Sequence, residues 1–237
     1  MTANQMTALL NSMNTFKDRK AHELFLDLSH GNNKLRSNER VSFLIWNIPA
    51  VITCPFATDH CKASCYARKA ERIYPNCLPV RQDHFEISRQ DDFTDRMIFT
   101  IEAEIARPAN KGKKIVFRIH ESGDFYNMSY VNKWIEIMRH FEGRPEITFV
   151  AYTKSVKFFD GRDLPSNFNL LASVWDDTSE ENLEIIRRNN YRIYTAYTGP
   201  ALEAAIAAGY SLCGCADCGS CGKCWNNYIN NIACKIH

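Results

Sequence analysis

The sequence predicts an α/β protein: a partial or full (β/α) barrel of about six units, with an N-terminal extension and a cysteine-rich, metal-binding C-terminal tail. Three observations carry the prediction. Strand-length apolar runs alternate with helical patterns through the middle of the chain, as in a parallel sheet covered by helices. The strand runs are almost continuously apolar, which suits a sheet buried on both faces. Ten cysteines lie only toward the two ends of this pattern, at 54, 61, 65 and 77 and again at 213, 215, 218, 221, 224 and 234.

Residues 1–40 read as the extension. Within them KAHELFLDLSHGNNKL holds an alternating apolar strand and a Gly-Asn-Asn turn signal. The barrel domain is expected over 41–212, with strands at 41–47, 115–119, 147–152, 170–175 and 191–197. Helical patterns lie between them: EISRQDDFTDRMIFTIEAEIA, NMSYVNKWIEIMRHF, SEENLEIIRRNN and PALEAAIAAG. Five such units and a final helix suggest a barrel rather than an open doubly wound sheet, and no nucleotide-type GxGxxG turn follows any strand. The tail, 213–237, is rich in Gly, Asn and Cys. It has little apolar material of its own, so a metal is expected to organise it.

Composition narrows the function classes. Lys+Arg 29 against Asp+Glu 27 gives a net charge of +2 in 237 residues, so no global field points to nucleic acid or membrane. Local basic segments, RPANKGKK (107–114) and KAERIYPN, leave a nucleic-acid groove open. The N-terminus lacks the pattern of a signal peptide. No apolar run approaches the roughly 18 residues of a membrane span, and a cytoplasmic location is expected. Disulfides are rare in such a compartment, so clustered cysteines point to metal or catalysis.

In parallel βα architectures, chemistry gathers on the loops after the strands. The first such loop, CPFATDHCKASCYA, carries Cys54, Cys61 and Cys65. Three thiols fall one short of a tetrahedral or cubane set. A structural zinc completed by His60 or Cys77 is one reading; a cluster with a vacant corner is the other.

After the second strand comes His120-Glu121-Ser122-Gly123-Asp124. Its carboxylates could grip an ammonium or act as a base, and its glycine admits a close ligand; the competing role for Asp124 is a helix cap. Lys154 follows the third strand and could hold a carboxylate or phosphate, or be an ordinary surface lysine. Trp175 is a stacking platform or a core aromatic. Asp176 and Asp177 follow the fourth strand and either contact a cofactor or begin a helix, and Tyr197 ends the fifth. In the tail, Cys218, Cys221 and Cys224 repeat with two residues between each, a ferredoxin-like spacing. Cys213, Cys215 or Cys234 would complete that set.

Taken together, GNNKLRSNERVSFLIWNIPAVITCPFATDHCKASCYA, RIHESGDF, FVAYTKS, CGSCGKCW and IACKIH resemble the phage and plasmid "gene product 88" domain family, from about Gly31 to His237. The wider similarity is to radical S-adenosylmethionine enzymes. That resemblance implies a [4Fe–4S] cluster on Cys54, Cys61 and Cys65, its fourth iron open to S-adenosylmethionine. Glu121, or Ser122 to Asp124, would hold the cofactor's ammonium, with His120 beside them; Asp176 and Tyr197 would meet the ribose and adenine. A second [4Fe–4S] cluster, or zinc, would occupy the tail. The spacing of six then three between the first cysteines departs from the three then two usual in those enzymes, and Glu-Ser-Gly-Asp replaces their Gly-Gly-Glu.

Three functions follow as expectations. The first is a radical enzyme whose unknown substrate is to be sought among nucleic acids or nucleotides, with Glu121, Asp124 and Lys154 as catalytic groups and a flavodoxin- or ferredoxin-type electron donor. The second is a zinc-dependent base exchanger similar to tRNA-guanine transglycosylase, using CGCADC and His237. The third is a metal-stapled nucleic-acid-binding module without turnover.

Overall fold

β-Branched and aromatic residues, interrupted only by the small Ser42, make Val41–Trp46 a strand buried along its whole length (β1), and it starts the sheet. The computed structural model describes residues 24–32, 34–35, 37–214, 217–226 and 230–235. The remaining strands are β2 (Lys114–Ile119), β3 (Ile147–Thr153), β4 (Phe168–Val174), β5 (Arg192–Tyr197), β6 (Ser211–Cys213) and β7 (Ile232–Lys235). They pair in the order β1-β2-β3-β4-β5-β7-β6, every pair parallel. The sheet curls into a half-barrel. Of the partial and full barrels the sequence admits, this is the partial one, with β1 and β6 as its edges.

Helices connect the strands. Between β1 and β2 lie α1 (Asp59–Ala63), α2 (Tyr66–Ile73), α3 (Cys77–Arg89) and α4 (Phe93–Ala106). Then come α5 (Met128–His140) after β2, α6 (Glu180–Arg188) after β4, α7 (Gly199–Ala207) after β5 and α8 (Cys218–Cys221) after β6. β3 is followed only by a 3₁₀ turn at Val156–Phe159. The single helix expected across 86–106 is two. Lys133 of α5 donates its amine to the carbonyls of Ser88 (3.2 Å) and Gln90 (2.6 Å), which satisfies the chain end of α3 where the helix stops. No helix among the described residues is long and apolar enough to cross a membrane.

Strand alternation divides the core. Leu44, Trp46, Phe117, Ile119, Phe149 and Ala151 face the helices, against Phe93 and Met97 of α4 and Tyr130 and Trp134 of α5. Val41, Phe43, Ile45, Val116, Val150, Leu171 and Ile232 face the concave side. Trp225 covers that side and meets Phe43 edge-on at 5.3 Å.

Of the expected N-terminal extension, residues 1–23 lie outside the described residues. Its described part buries Leu26 and Leu28. The strand expected there is represented by one antiparallel bridge, Ser29 to Ile45. Residues 213–237, set apart in the sequence, supply the end of β6 and all of β7, which inserts between β5 and β6. Buried Trp225, Ile232 and Ala233 give this segment more packing than its composition suggests.

Candidate metal centres

The loop after β1 is held in place before any thiol is considered. Asn47 Oδ1 accepts from the backbone N–H groups of Glu121 and Ser122, at 2.8 and 2.9 Å, and Ile48 N donates to Ser122 O at 3.1 Å. Glu71 of α2 accepts from Ala50 N and pairs with buried Arg81 at 2.9 Å. Gly123, at φ +83°, lies so close to this loop that a Cβ there would stand 2.3 Å from Ile48 Cγ1 and 2.7 Å from Thr53 Oγ1. Only glycine fits.

On this base the three early cysteines are neighbours on one loop, although their three sulfurs do not all lie within 4.8 Å of one another. Cys54 ends the turn after β1, Cys61 lies in α1 behind its Thr58 cap, and Cys65 caps α2. Cys61 and Cys65 are electrostatic neighbours of Cys54, and Asp124 stands closer still in effect. Burial first, and then Asp124, push the Cys54 thiol up to about 12. Thiolates at such a place need a cation to exist at neutral pH, and bound metal supplies one.

The later cysteines converge on the concave face. Cys213 of β6 is in register with Cys234 of β7, so both side chains leave the same face of neighbouring strands. Cys218, at the start of α8, and Cys224 pack on the same apolar floor as Cys213. Cys213 is an electrostatic neighbour of Cys218, Cys224 and Cys234 alike. Lys34 Nζ lies 3.7 Å from Cys213 Sγ, and Lys34 O accepts from Cys218 N at 3.0 Å. Tyr152 hydrogen-bonds with Cys224, and Tyr194 with Cys234. Burial pushes the Cys218 thiol up to about 11 and raises Cys224 and Cys234 as well.

Cys213, Cys218, Cys224 and Cys234 thus gather on one face, but no three of their sulfurs lie within 4.8 Å of one another. That is wider than the roughly 3.8 Å between sulfurs of a tetrathiolate zinc, and the larger cubane iron–sulfur cluster is the group such a set would hold. Cys221 lies on α8 but is not among the thiols packed on the concave floor. Cys215 and His237, both candidates in the sequence, lie outside the described residues.

Asp124 is buried and accepts from Thr153 Oγ1 (2.6 Å), Phe125 N (2.8 Å) and Lys154 N (2.9 Å), tying the loop after β2 to the end of β3. Burial raises its pKa, and these bonds oppose the rise. Ser122 is buried in the same scaffold. Glu121 sits at the mouth, its carboxylate bonded by Asn32 and its carbonyl accepting from Tyr66 Oη at 2.6 Å. Lys154 donates to Ser173 Oγ at 2.8 Å and stands 5.5 Å over the Trp175 ring.

His120 turns away from the mouth. Its φ of +68° breaks the alternation of β2, and its ring packs on Phe125 and Tyr130 at the helical side. Trp46 Nε1 donates to Tyr130 Oη at 3.1 Å, which leaves the hydroxyl proton for His120 Nε2 at 2.9 Å. Burial, and then Arg118, lower the His120 pKa to about 3, so it is neutral.

Asp176 bonds His60 Nδ1 at 2.6 Å, and Asp177 accepts from His60 N at 2.9 Å. These three offer ligand atoms within 4.8 Å of one another, all exposed. Tyr197 alternates with Tyr194 and so faces the other side of β5, in the electrostatic reach of Tyr210. Sequence reasoning missed Arg118, Tyr152, Tyr194 and Lys34, which line the concave face. The signal for Arg118 was a single charge within the apolar run IVFRI.

Fold and site together define a parallel α/β half-barrel with one thiol group on the loop after its first strand and a second on its concave face. A family model described as "Gene product 88" matches residues 26–227, and the chain belongs to that family. It is similar to the Gene 88 protein of Mycobacterium phage D29, 34% identical over 105 residues that cover 43% of this chain and 42% of that protein. A second similar protein is the Gene 88 protein of Mycobacterium phage L5, 34% identical over 105 residues covering 43% of each. The chain thus matches less than half the length of these relatives, and neither name states an activity. No solved structure matches.

Proposed function

We propose that this protein is an iron–sulfur enzyme of the radical S-adenosylmethionine type. The observation that carries the reading is the pairing of two thiol groups with different numbers of donors. Cys213, Cys218, Cys224 and Cys234 suffice by themselves for a closed site. Cys54, Cys61 and Cys65, at the rim after β1, provide three donors and leave a position for a ligand. A cluster held there would supply one electron to cleave the cofactor's sulfonium, giving the radical that takes hydrogen from a substrate.

The chain's own residues have distinct tasks in this reading. Gly123 and Asn47 fix the loop after β2 against the thiol loop. Glu121, held by Asn32 and Tyr66, presents acidic oxygen near the open position and is the candidate for the cofactor's ammonium. Asp124 acts by positioning, since its oxygens already bind three donors of the chain. Lys154, beside Trp175, is available to an anionic group at the rim. Trp225 and the tail strands close the far side of the mouth against water.

The test is anaerobic purification with iron and sulfide analysis, then reduction in the presence of S-adenosylmethionine. Formation of 5′-deoxyadenosine supports the proposal. Zinc alone, or iron without any cleavage of the cofactor, removes it.

A further inference from the structure

Arg118 of β2 stands opposite Ile45 of β1 and Val150 of β3, and shares the concave face with Val116. Its Nε donates to His120 O at 3.3 Å and its Nη2 to Tyr66 Oη at 3.4 Å. The guanidinium carbon lies 4.9 Å above the Tyr152 ring, and that ring meets Tyr194 edge-on at 4.8 Å. Among the described residues no carboxylate forms an ion pair with Arg118, and no acceptor reaches Nη1. Glu121 is nearby, but its carboxylate is bonded by Asn32. A cation this enclosed usually has an acid partner.

The surroundings admit a solute. Tyr66 is exposed, and Arg118, Tyr152, Tyr194, Cys213, Cys218 and Cys224 are each partly so. These side chains stand side by side between the two thiol groups, phenol rings next to guanidinium donors that the chain does not use. A planar guanidinium matches the paired oxygens of a carboxylate or a phosphate better than any other side chain. The rival counter-charge is a thiolate-bound metal at the tail, since Cys218 and Cys224 lie within the electrostatic reach of Arg118. Lys34 already serves that group through Cys213.

We propose that Arg118 is the anion-binding post of the substrate site, taking a carboxylate or phosphate of a small ligand that enters between the two thiol groups beside Tyr152. The inference rests on the proposed function in that it assigns the substrate to the same mouth.

The test uses the full chain, purified anaerobically with its metal content measured, as wild type, Arg118→Gln and Arg118→Lys. Each is titrated calorimetrically with inorganic phosphate in chloride-poor buffer, and separately with S-adenosylhomocysteine. Phosphate binding is expected in the wild type, weakened roughly tenfold or more in the Gln variant and by less in the Lys variant, with unchanged metal content. Failure of the wild type to bind phosphate, or equal binding by all three, overturns the proposal. Loss of tail metal in the Gln variant would make Arg118 a counter-ion of the thiolates instead. Arg118-dependent binding of S-adenosylhomocysteine but not phosphate would assign it to the cofactor's own carboxylate. Because no turnover is measured, Arg118-dependent phosphate binding without 5′-deoxyadenosine formation would remove the proposed reaction and leave the anion site standing.

Discussion

Replacing Gly123 with alanine adds a single methyl group at the point where the loop after β2 rests on the thiol loop. Two costs follow from the geometry. At φ +83° an L-residue gives up about 1–2 kcal/mol against its ordinary conformations. The new Cβ also falls 2.3 Å from Ile48 Cγ1 and 3.0 Å from Ile48 O. Ile48 is fully buried and tied to Ser122 through its backbone N–H, so it cannot swing clear. Overpacking of that kind adds about 1–3 kcal/mol, for a total of about 2–5 kcal/mol. Urea denaturation of the two proteins under identical anaerobic conditions reads the difference. Iron content should fall too, because the displaced segment leads straight to Thr53 and Cys54. A variant within about 0.5 kcal/mol of wild type, with full iron, would refute the claim that this contact sets the loop.

Among the tail thiols, Cys213→Ser, Cys218→Ser, Cys224→Ser and Cys234→Ser should each lower tail metal, whereas Cys221→Ser should retain it; metal analysis of the five variants checks the assignment. Buried His120, with its folded-state pKa lowered to about 3, contributes stability that is fully present above its unfolded value near 6.5. That contribution is lost as pH falls from there toward 3, by about 1.4 kcal/mol per pH unit. His120→Gln should therefore show a flatter decline in denaturation midpoint between pH 6 and pH 4 (a range of order 2 units) than the wild type does.

Much of the sheet was legible because β1 to β5 are long and apolar on both faces, and their bounds differ from the sequence reading by at most two residues. β6 and β7 were not. Ser211–Cys213 and Ile232–Lys235 are too short to show a period, and their cysteines read as metal ligands only. The N-terminal strand shrank to a bridge because Leu26 and Leu28 are buried as packing residues rather than as a paired strand.

At the site, the grouping of Cys54, Cys61 and Cys65 followed from sequence proximity alone. The choice of Cys234 could not, since it depends on β7 inserting beside β6. His120 was assigned to the mouth because it opens the loop after the second strand; its left-handed backbone turns the ring to the helical side instead. Tyr197 faces opposite to Tyr194 by ordinary alternation, a distinction that counting residues along β5 could have supplied. Lys34 left no sequence signal, because its contact with Cys213 spans 179 residues of chain.

The central claim is that two thiol groups hold two iron–sulfur centres, one closed and one with an open position. Iron and acid-labile sulfide measured on the anaerobically purified protein test it most directly. The account predicts about eight irons and about eight sulfides per chain, falling by half in Cys61→Ala with the fold retained. Zinc without sulfide, or a Cys61→Ala variant with the full iron complement, would contradict it.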